Sequence, residues 1–290
     1  MKERMATIVT SKNRKVEFGE GLPTAVIGER INPTGKKKLA EDLSKGKFDV
    51  LVQEALSQKE AGADILDVNV AVSGVDETTI LPKAVLKVLE VSGFPVCIDS
   101  SNPEALKKAL EVYPYKALVN SVTGQEKSLK AVLPLVKKFG ASVVGLTMDD
   151  SGIPKSADKR FAVAKRIMEV AKSYGIPKED IVIDCLCLAQ AAQTDSAAAT
   201  LETLMRVSRE LGVATVLGVS NISFGMPDRK IINLSFLSQA ISQGLNAAIV
   251  DPTIKGMVET ILASDFLAGR DSYGKRYLKY YREKVKTKKD

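Results

Sequence analysis

The sequence predicts a single eight-stranded βα barrel, with strands and helices alternating around a closed parallel sheet. Three observations predict it. Short β-branched runs alternate with longer amphipathic segments eight times along the 290 residues. Glycines fall where the helical patterns stop, at Gly62, Gly140, Gly175, Gly212 and Gly244. Each apolar run also closes on a polar residue, as barrel strands do where their loops gather into a mouth.

The elements follow in order. Residues 6–10 and 15–18 read as two short strands around the polar turn Lys12-Asn13-Arg14, so 1–22 are expected to form a hairpin capping the N-terminal end of the barrel. The barrel itself is expected over 23–268. Its strands are read at 24–28, 65–69, 95–99, 117–120, 142–147, 181–184, 214–219 and 247–250. Its helices are read at 49–61, 82–90, 103–112, 127–139, 159–174, 197–210, 232–243 and 254–267. In the remainder, 269–290, Tyr273, Tyr277, Tyr280 and Leu278, Tyr281, Val285 recur at helical spacing. That spacing predicts a basic closing helix whose aromatic stripe packs while its lysines stay in water.

Composition removes many functions. Hydrophobic residues make up 45% and charged residues 27%, which suits a compact globule and excludes a disordered chain. No apolar run reaches the roughly 18 residues that span a bilayer, and the polar start has no signal-peptide core, so a cytoplasmic protein is expected. There is no histidine. A Ser-His-Asp triad, a His-ligated metal and the corrinoid-binding signature D-x-H-x-x-G are therefore impossible. Cys185 and Cys187 form one pair and Cys97 stands apart, which leaves a thiolate site short of a fourth ligand; no metal site is expected, and the cysteines read as buried strand residues. The net charge is +7, but nine basic and three acidic residues of it lie in the last 22 positions, so the body is nearly neutral. That distribution argues against a nucleic-acid or scaffold role acting through the basic tail, the alternative from another functional class.

The strand ends carry the functional signal. They read Glu29, Asp67 with Asn69, Asp99, Asn120, Thr147 with Asp149, Asp184, Ser220 with Asn221, and Asp251. Helix N-capping accounts for some of these, Asp251 and Ser100 among them, but eight polar ends out of eight point to a polar pocket. The first turn, Gly28-Glu-Arg-Ile-Asn-Pro-Thr-Gly35-Lys36, matches neither G-x-G-x-x-G nor G-x-x-x-x-G-K-[ST], which disfavours a nucleotide. Carboxylates beside carboxamides suit a planar heterocycle with an amidine-like edge, because one carboxylate accepts two parallel N–H bonds. A pterin has that edge.

Taken in order, the strand-end words GERINPTG (28–35), LDVNV (66–70), CIDSSN (97–102), LVNS (118–121), GLTMDDSGIP (145–154), IVIDCL (181–186), LGVSNIS (217–223) and DRKIIN (228–233) cover nearly the whole barrel. They resemble the methyltetrahydrofolate:corrinoid methyltransferases, relatives of the folate domain of cobalamin-dependent methionine synthase. The resemblance implies that Asp99, Asn120 and Asp184 hydrogen-bond the pterin ring and that Asn221 lies beside the nitrogen bearing the methyl group. It also puts Gly218, Ser220 and Arg229 on the wall of that pocket. Glu29, Asp67, Asn69, Asp149 and Asp251 are expected around this first ring of contacts, and Phe224 departs from the polar residue usual after N-[VI]-S. By the same resemblance the second substrate is a cobalamin or other corrinoid carried by a separate protein, and the enzyme is a homodimer. The nearest alternative is a dihydropteroate synthase, but its C-terminal Arg-x-His motif has no counterpart in a chain without histidine.

Overall fold

The computed structural model describes residues 5–286. Strands β1 (Ala6–Thr10) and β2 (Lys15–Gly19) pair antiparallel, with Val9 opposite Val16. Alternation along the strands turns Val9, Val16 and Phe18 to one face. That face packs against Ile27, Ile65, Cys97, Leu118, Val144 and Val182 in the lower barrel, closing its N-terminal end. Polar bonds fix the hairpin there: Thr10 N donates to Lys116 O (2.9 Å), Thr7 Oγ1 to Glu179 O (2.8 Å) and Asn246 Nδ2 to Gly19 O (2.9 Å).

Eight parallel strands follow: β3 (Ala25–Ile31), β4 (Ile65–Asn69), β5 (Val96–Asp99), β6 (Leu118–Thr123), β7 (Ser142–Leu146), β8 (Ile181–Asp184), β9 (Ala214–Gly218) and β10 (Ala247–Val250). They close in chain order, β10 pairing with β3. β3 and β6 run three residues past their expected ends, because pairing resumes after register shifts between Gly28 and Ile31 and between Asn120 and Val122. The first shift is built around a missing side chain. A Cβ on Gly28 would collide with Gln58 Oε1, and that same oxygen accepts the Arg30 N–H at 2.9 Å. Gln58, fully buried, thus satisfies the backbone that the shift frees.

Ten helices are described: α1 (Lys37–Ser44), α2 (Asp49–Ala61), α3 (Glu77–Ser92), α4 (Pro103–Val112), α5 (Glu126–Phe139), α6 (Ala157–Ser173), α7 (Ser196–Arg206), α8 (Arg229–Ser242), α9 (Met257–Leu267) and α10 (Lys275–Lys286). The ends of α2 and α5 carry Gly62 and Gly140 in the left-handed conformation, as their positions predict. α3 begins five residues before the expected start at Pro82. Asp76 caps it by accepting Thr78 N–H at 3.0 Å, and the proline lies inside the helix. α1 was not expected; it is two turns long and buries only Leu39 and Leu43.

The tail helix forms, but most of its aromatic stripe faces solvent and only Tyr280 is half-buried among the described members. Tyr273 is 88% exposed, and Tyr277, Leu278 and Tyr281 also face solvent. α10 is held by its start instead. The Asp271 carboxylate accepts Arg276 and Tyr277 N–H at 3.1 Å, and Arg276 reaches the buried Asp265 at 3.1 Å. Val285 lies among residues whose side chains are not described. Cys97, Cys185 and Cys187 are all buried free thiols.

Phe18 is wholly enclosed. Phe18→Ala is expected to cost about 3 to 5 kcal/mol of stability. A shift in the urea midpoint at unchanged slope is the measurement.

Candidate active site

The C-terminal strand ends surround a cavity of about 430 Å³. Glu29, Asp67, Asp99, Asn120, Gly218, Asn221, Arg229 and Asp251 line it, so most of the residues singled out in the sequence do converge. Adjacent register explains part of this: Asn69 lies opposite Asp99, and Asp99 opposite Asn120. Asn69 Nδ2 donates to Asp99 Oδ2 at 2.9 Å, and Asn120 Nδ2 to Asp67 Oδ1 at 3.4 Å. Each acid is thereby supplied with a neutral amide donor.

The opposite wall is formed by β9 and the short 3₁₀ turn Val219–Ser223, which carries Asn221. A Cβ on Gly218 would come within 3.1 Å of Asn221 Nδ2, so glycine there leaves room for the amide. Arg229, the first residue of α8, braces the turn by donating to Ser220 O (2.8 Å) and Ser223 Oγ (3.0 Å). Its guanidinium lies 5.4 Å from the centre of the exposed Phe224 ring. Ser220 Oγ reaches both Glu29 oxygens, at 3.2 and 3.3 Å.

Four expected residues are not in the lining: Ser220, which acts through Glu29, and three that take other positions. Asp149 does not join this cavity; it lines a separate cleft with Lys155, Lys159 and Arg166, and its carboxylate folds back onto Ser151 N (2.8 Å) and Oγ (2.6 Å). The loop after β7 is long enough for the residue to satisfy itself locally. Asn69 acts from behind, through Asp99. Asp184 is buried at the end of β8, where it accepts Leu186 N–H at 2.7 Å.

Other participants were not singled out in the sequence. Arg30 ion-pairs with Glu54 and with Asp251 (2.7 Å), Lys36 Nζ bonds Arg30 O, and Asn32 and Thr34 complete the rim. Beneath Asp184, the fully buried Arg160 donates to the carbonyls of Pro154 (2.7 Å) and Leu186 (2.8 Å) and to Thr200 Oγ1 (3.0 Å). A signal for Arg160 existed. It shares an apolar helical face with Val163, Ala164, Ile167 and Ala171, where a charge has no reason to stand unless it is bonded.

Burial sets the electrostatics. It pushes the Glu29 carboxyl up to about 7 against the opposing effect of the Ser220 hydrogen bond, with Asp251 adding to the rise. Burial likewise takes Asp184 to about 7, opposed by the Leu186 N–H and by Arg160. Asp67 is raised by burial and by the nearby Asp99 charge, and Asp99 is raised by burial. Burial thus favours the protonated form of each of these acids, while Arg30, Lys36 and Arg229 supply positive charge to the same lining. Among the described residues, no three His, Cys, Asp or Glu side chains come together as a metal site.

A closed parallel barrel whose mouth joins acids to amides defines a class, and comparison places the chain within it. Residues 28–251 match the pterin-binding enzymes, and the chain belongs to that family. Over 267 residues it is 32% identical to a methylcorrinoid:tetrahydrofolate methyltransferase of Eubacterium limosum, covering 89% of this chain and 96% of that protein. It is 31% identical to a methionine synthase of Mycobacterium leprae over 83% of this chain, which corresponds to 21% of that longer protein. The resemblance read from the strand-end words thus extends through the barrel. Solved dihydropteroate synthases share the fold: that of Yersinia pestis superposes with a TM-score of 0.68 at 17% identity, and that of Xanthomonas albilineans with 0.68 at 19%, each covering 90% of this chain and 98% of the other.

Asp184 makes stability depend on pH in a definite direction. In the unfolded chain it titrates near 4, and in the folded protein at about 7. Between those values the native state holds the extra proton, so the contribution is full below the lower value and is lost as pH rises through the upper one. Asp184→Asn is expected to flatten that decline by up to about 1.4 kcal/mol per pH unit. Urea denaturation of both proteins across the interval checks it; an unaltered slope would contradict the assignment.

Proposed function

We propose that this protein exchanges a methyl group between N5 of tetrahydrofolate and the cobalt of a corrinoid carried by a separate protein. The observation that carries the reading is that a neutral carboxamide, Asn221, shares one cavity with the acid and amide ring of Asp67, Asp99 and Asn120. Family membership supports a pterin as the ligand of that ring. The full-length match to the Eubacterium limosum enzyme supports tetrahydrofolate and a methylcorrinoid as the substrates.

On this reading Asp99 and Asn120 hold the pterin edge from the cavity wall and Asp184, outside that lining, reaches it from the end of β8, with Gly218, Ser220 and Arg229 shaping the wall. Methyl transfer is displacement at carbon, and an unassisted tertiary amine is a very poor leaving group. Asn221 hydrogen-bonds the nitrogen as charge develops there. Because that bond strengthens in the transition state, it contributes roughly 2 to 4 kcal/mol, by analogy with an oxyanion-hole donor. A carboxylate in the same place would instead favour the protonated ground state. The chain offers no imidazole to coordinate cobalt, which supports a corrinoid brought by a partner over the open mouth.

The test mixes the protein with tetrahydrofolate and methylcobalamin, then with methyltetrahydrofolate and cob(I)alamin, following the cobalt spectrum. Turnover is expected in both directions. Dihydropteroate formation from a pterin pyrophosphate and 4-aminobenzoate, with no cobalt change, would replace this reading by the synthase one.

Two substitutions separate binding from chemistry. Asn221→Ala is expected to lower kcat by about 100-fold or more while leaving folate affinity nearly unchanged. Asp184→Asn is expected to weaken folate binding chiefly, measured by calorimetry. Unchanged turnover in Asn221→Ala would remove the role given to the amide.

A further inference from the structure

The proposed exchange leaves one proton to be accounted for. N5 of tetrahydrofolate bears a hydrogen when it lacks the methyl group, so each turnover delivers a proton to that nitrogen or removes one. Histidine, the usual carrier, does not occur in this chain. Some other group beside the nitrogen must exchange it.

The geometry points to one acid. Glu29 lines the same cavity as Asn221, and Ser220, the residue preceding Asn221, bonds both of its carboxyl oxygens. The register shift in β3 is what brings it there: Glu29 lies between Gly28 and Ile31, where strand pairing is interrupted. The other acids are placed less well. Asp67 on β4 and Asp99 on β5 lie three and four strands round the barrel from β9, against two for Glu29 on β3, and each is engaged by an amide. Asp251 is engaged by Arg30 and by Thr253. Asp184 is turned to Leu186 N–H and is not part of the cavity lining.

Resting on the methyl-exchange reading, we propose that Glu29 is the catalytic acid and base of this site. Its carboxyl protonates the ring nitrogen as the methyl group leaves and accepts that proton when the methyl group returns. In the first direction the nitrogen–carbon bond breaks as the carbon–cobalt bond forms from the cobalt electron pair. The pair from the broken bond stays on nitrogen and takes the Glu29 proton, and the carboxylate recovers a proton from water. In the reverse direction the N–H proton passes to the Glu29 carboxylate, the nitrogen pair takes the methyl group, and the cobalt keeps the pair of its broken bond.

The surroundings suit the task. Facing Glu29 are Ser220, Asp251 at the end of β10, Lys36 in the loop after β3, Arg229 at the start of α8, and Asp67 on β4. Burial and Asp251 favour the protonated carboxyl, whereas Ser220, Lys36 and Arg229 favour the carboxylate. The balance falls at about 7, where both forms are populated.

The experiment measures kcat against pH in both directions for wild type, Glu29→Gln and Ser220→Ala, with folate affinity measured alongside. In wild type the rate toward cobalt is expected to fall as pH rises through about 7, and the rate toward folate to rise. Glu29→Gln is expected to lose about 100-fold in kcat and to lose that limb, with folate still bound. Ser220→Ala is expected to keep the limb but move it to higher pH, since the serine bond favours the carboxylate; it also keeps the proposal testable should Glu29→Gln fail to fold. A Glu29→Gln enzyme with wild-type rate or an intact limb, or a Ser220→Ala limb that stays in place, would overturn the role of Glu29 and leave methyl exchange standing. A wild type inert with both substrate pairs would remove the reading beneath it.

Discussion

A carboxyl group taken out of water either finds donors or keeps its proton, and the mouth of this barrel is arranged around that constraint. Four acids stand near the ends of β3, β4, β5 and β8, each enclosed enough for burial to favour its protonated form. The chain answers with neutral donors: Asn69 for Asp99, Asn120 for Asp67, Ser220 for Glu29 and a backbone N–H for Asp184. Arg160 supports β8 from below, while Arg30, paired with Asp251, and Arg229 stand in the cavity wall itself. The outcome is a cavity rich in hydrogen-bonding capacity whose acids are biased toward their neutral forms.

Much of the barrel was legible because each strand is a short β-branched run bounded by a polar or turn-forming residue. Such runs leave little freedom in where they start. The discrepancies have physical causes. β3 and β6 continue beyond Gly28 and Asn120 because pairing resumes after a shift, and nothing in a local pattern announces that. Pro82 looked like a helix start, but Asp76 was the cap, and a helix packed on a sheet tolerates the lost N–H. The tyrosines of α10 had the spacing of a buried stripe, yet most face solvent, and the start of the helix is held by an ion pair at Asp265 and by backbone N–H bonds to Asp271.

At the site, the residues closing each strand were legible because barrel topology sends them all to one end. Side-chain direction was not. Asp149 sits at a strand end in the sequence and bonds to its own loop in space. Gln58 and Arg160 lie on helices, far in sequence from the strand ends they support. Their roles come from burial, which one-dimensional spacing registers only when a polar residue occupies an apolar position, as Arg160 does. These supports are rigid: Gln58 fills the space that Gly28 leaves, and Arg229 ties the turn of Asn221 to α8. Placing the reactive groups on strands and braced turns fixes them before any ligand arrives.

The hairpin has a consequence for traffic. With Phe18 and its neighbours stoppering the lower end, the barrel is a vessel with one entrance. Under the proposed chemistry the two reactants cannot arrive from opposite sides. On that proposal the flat ring, seated deeper, would enter ahead of the bulky macrocycle on its carrier and leave after it. That sequence imposes a compulsory-order scheme through a ternary complex in place of a two-stage exchange in which the enzyme holds the methyl group by itself.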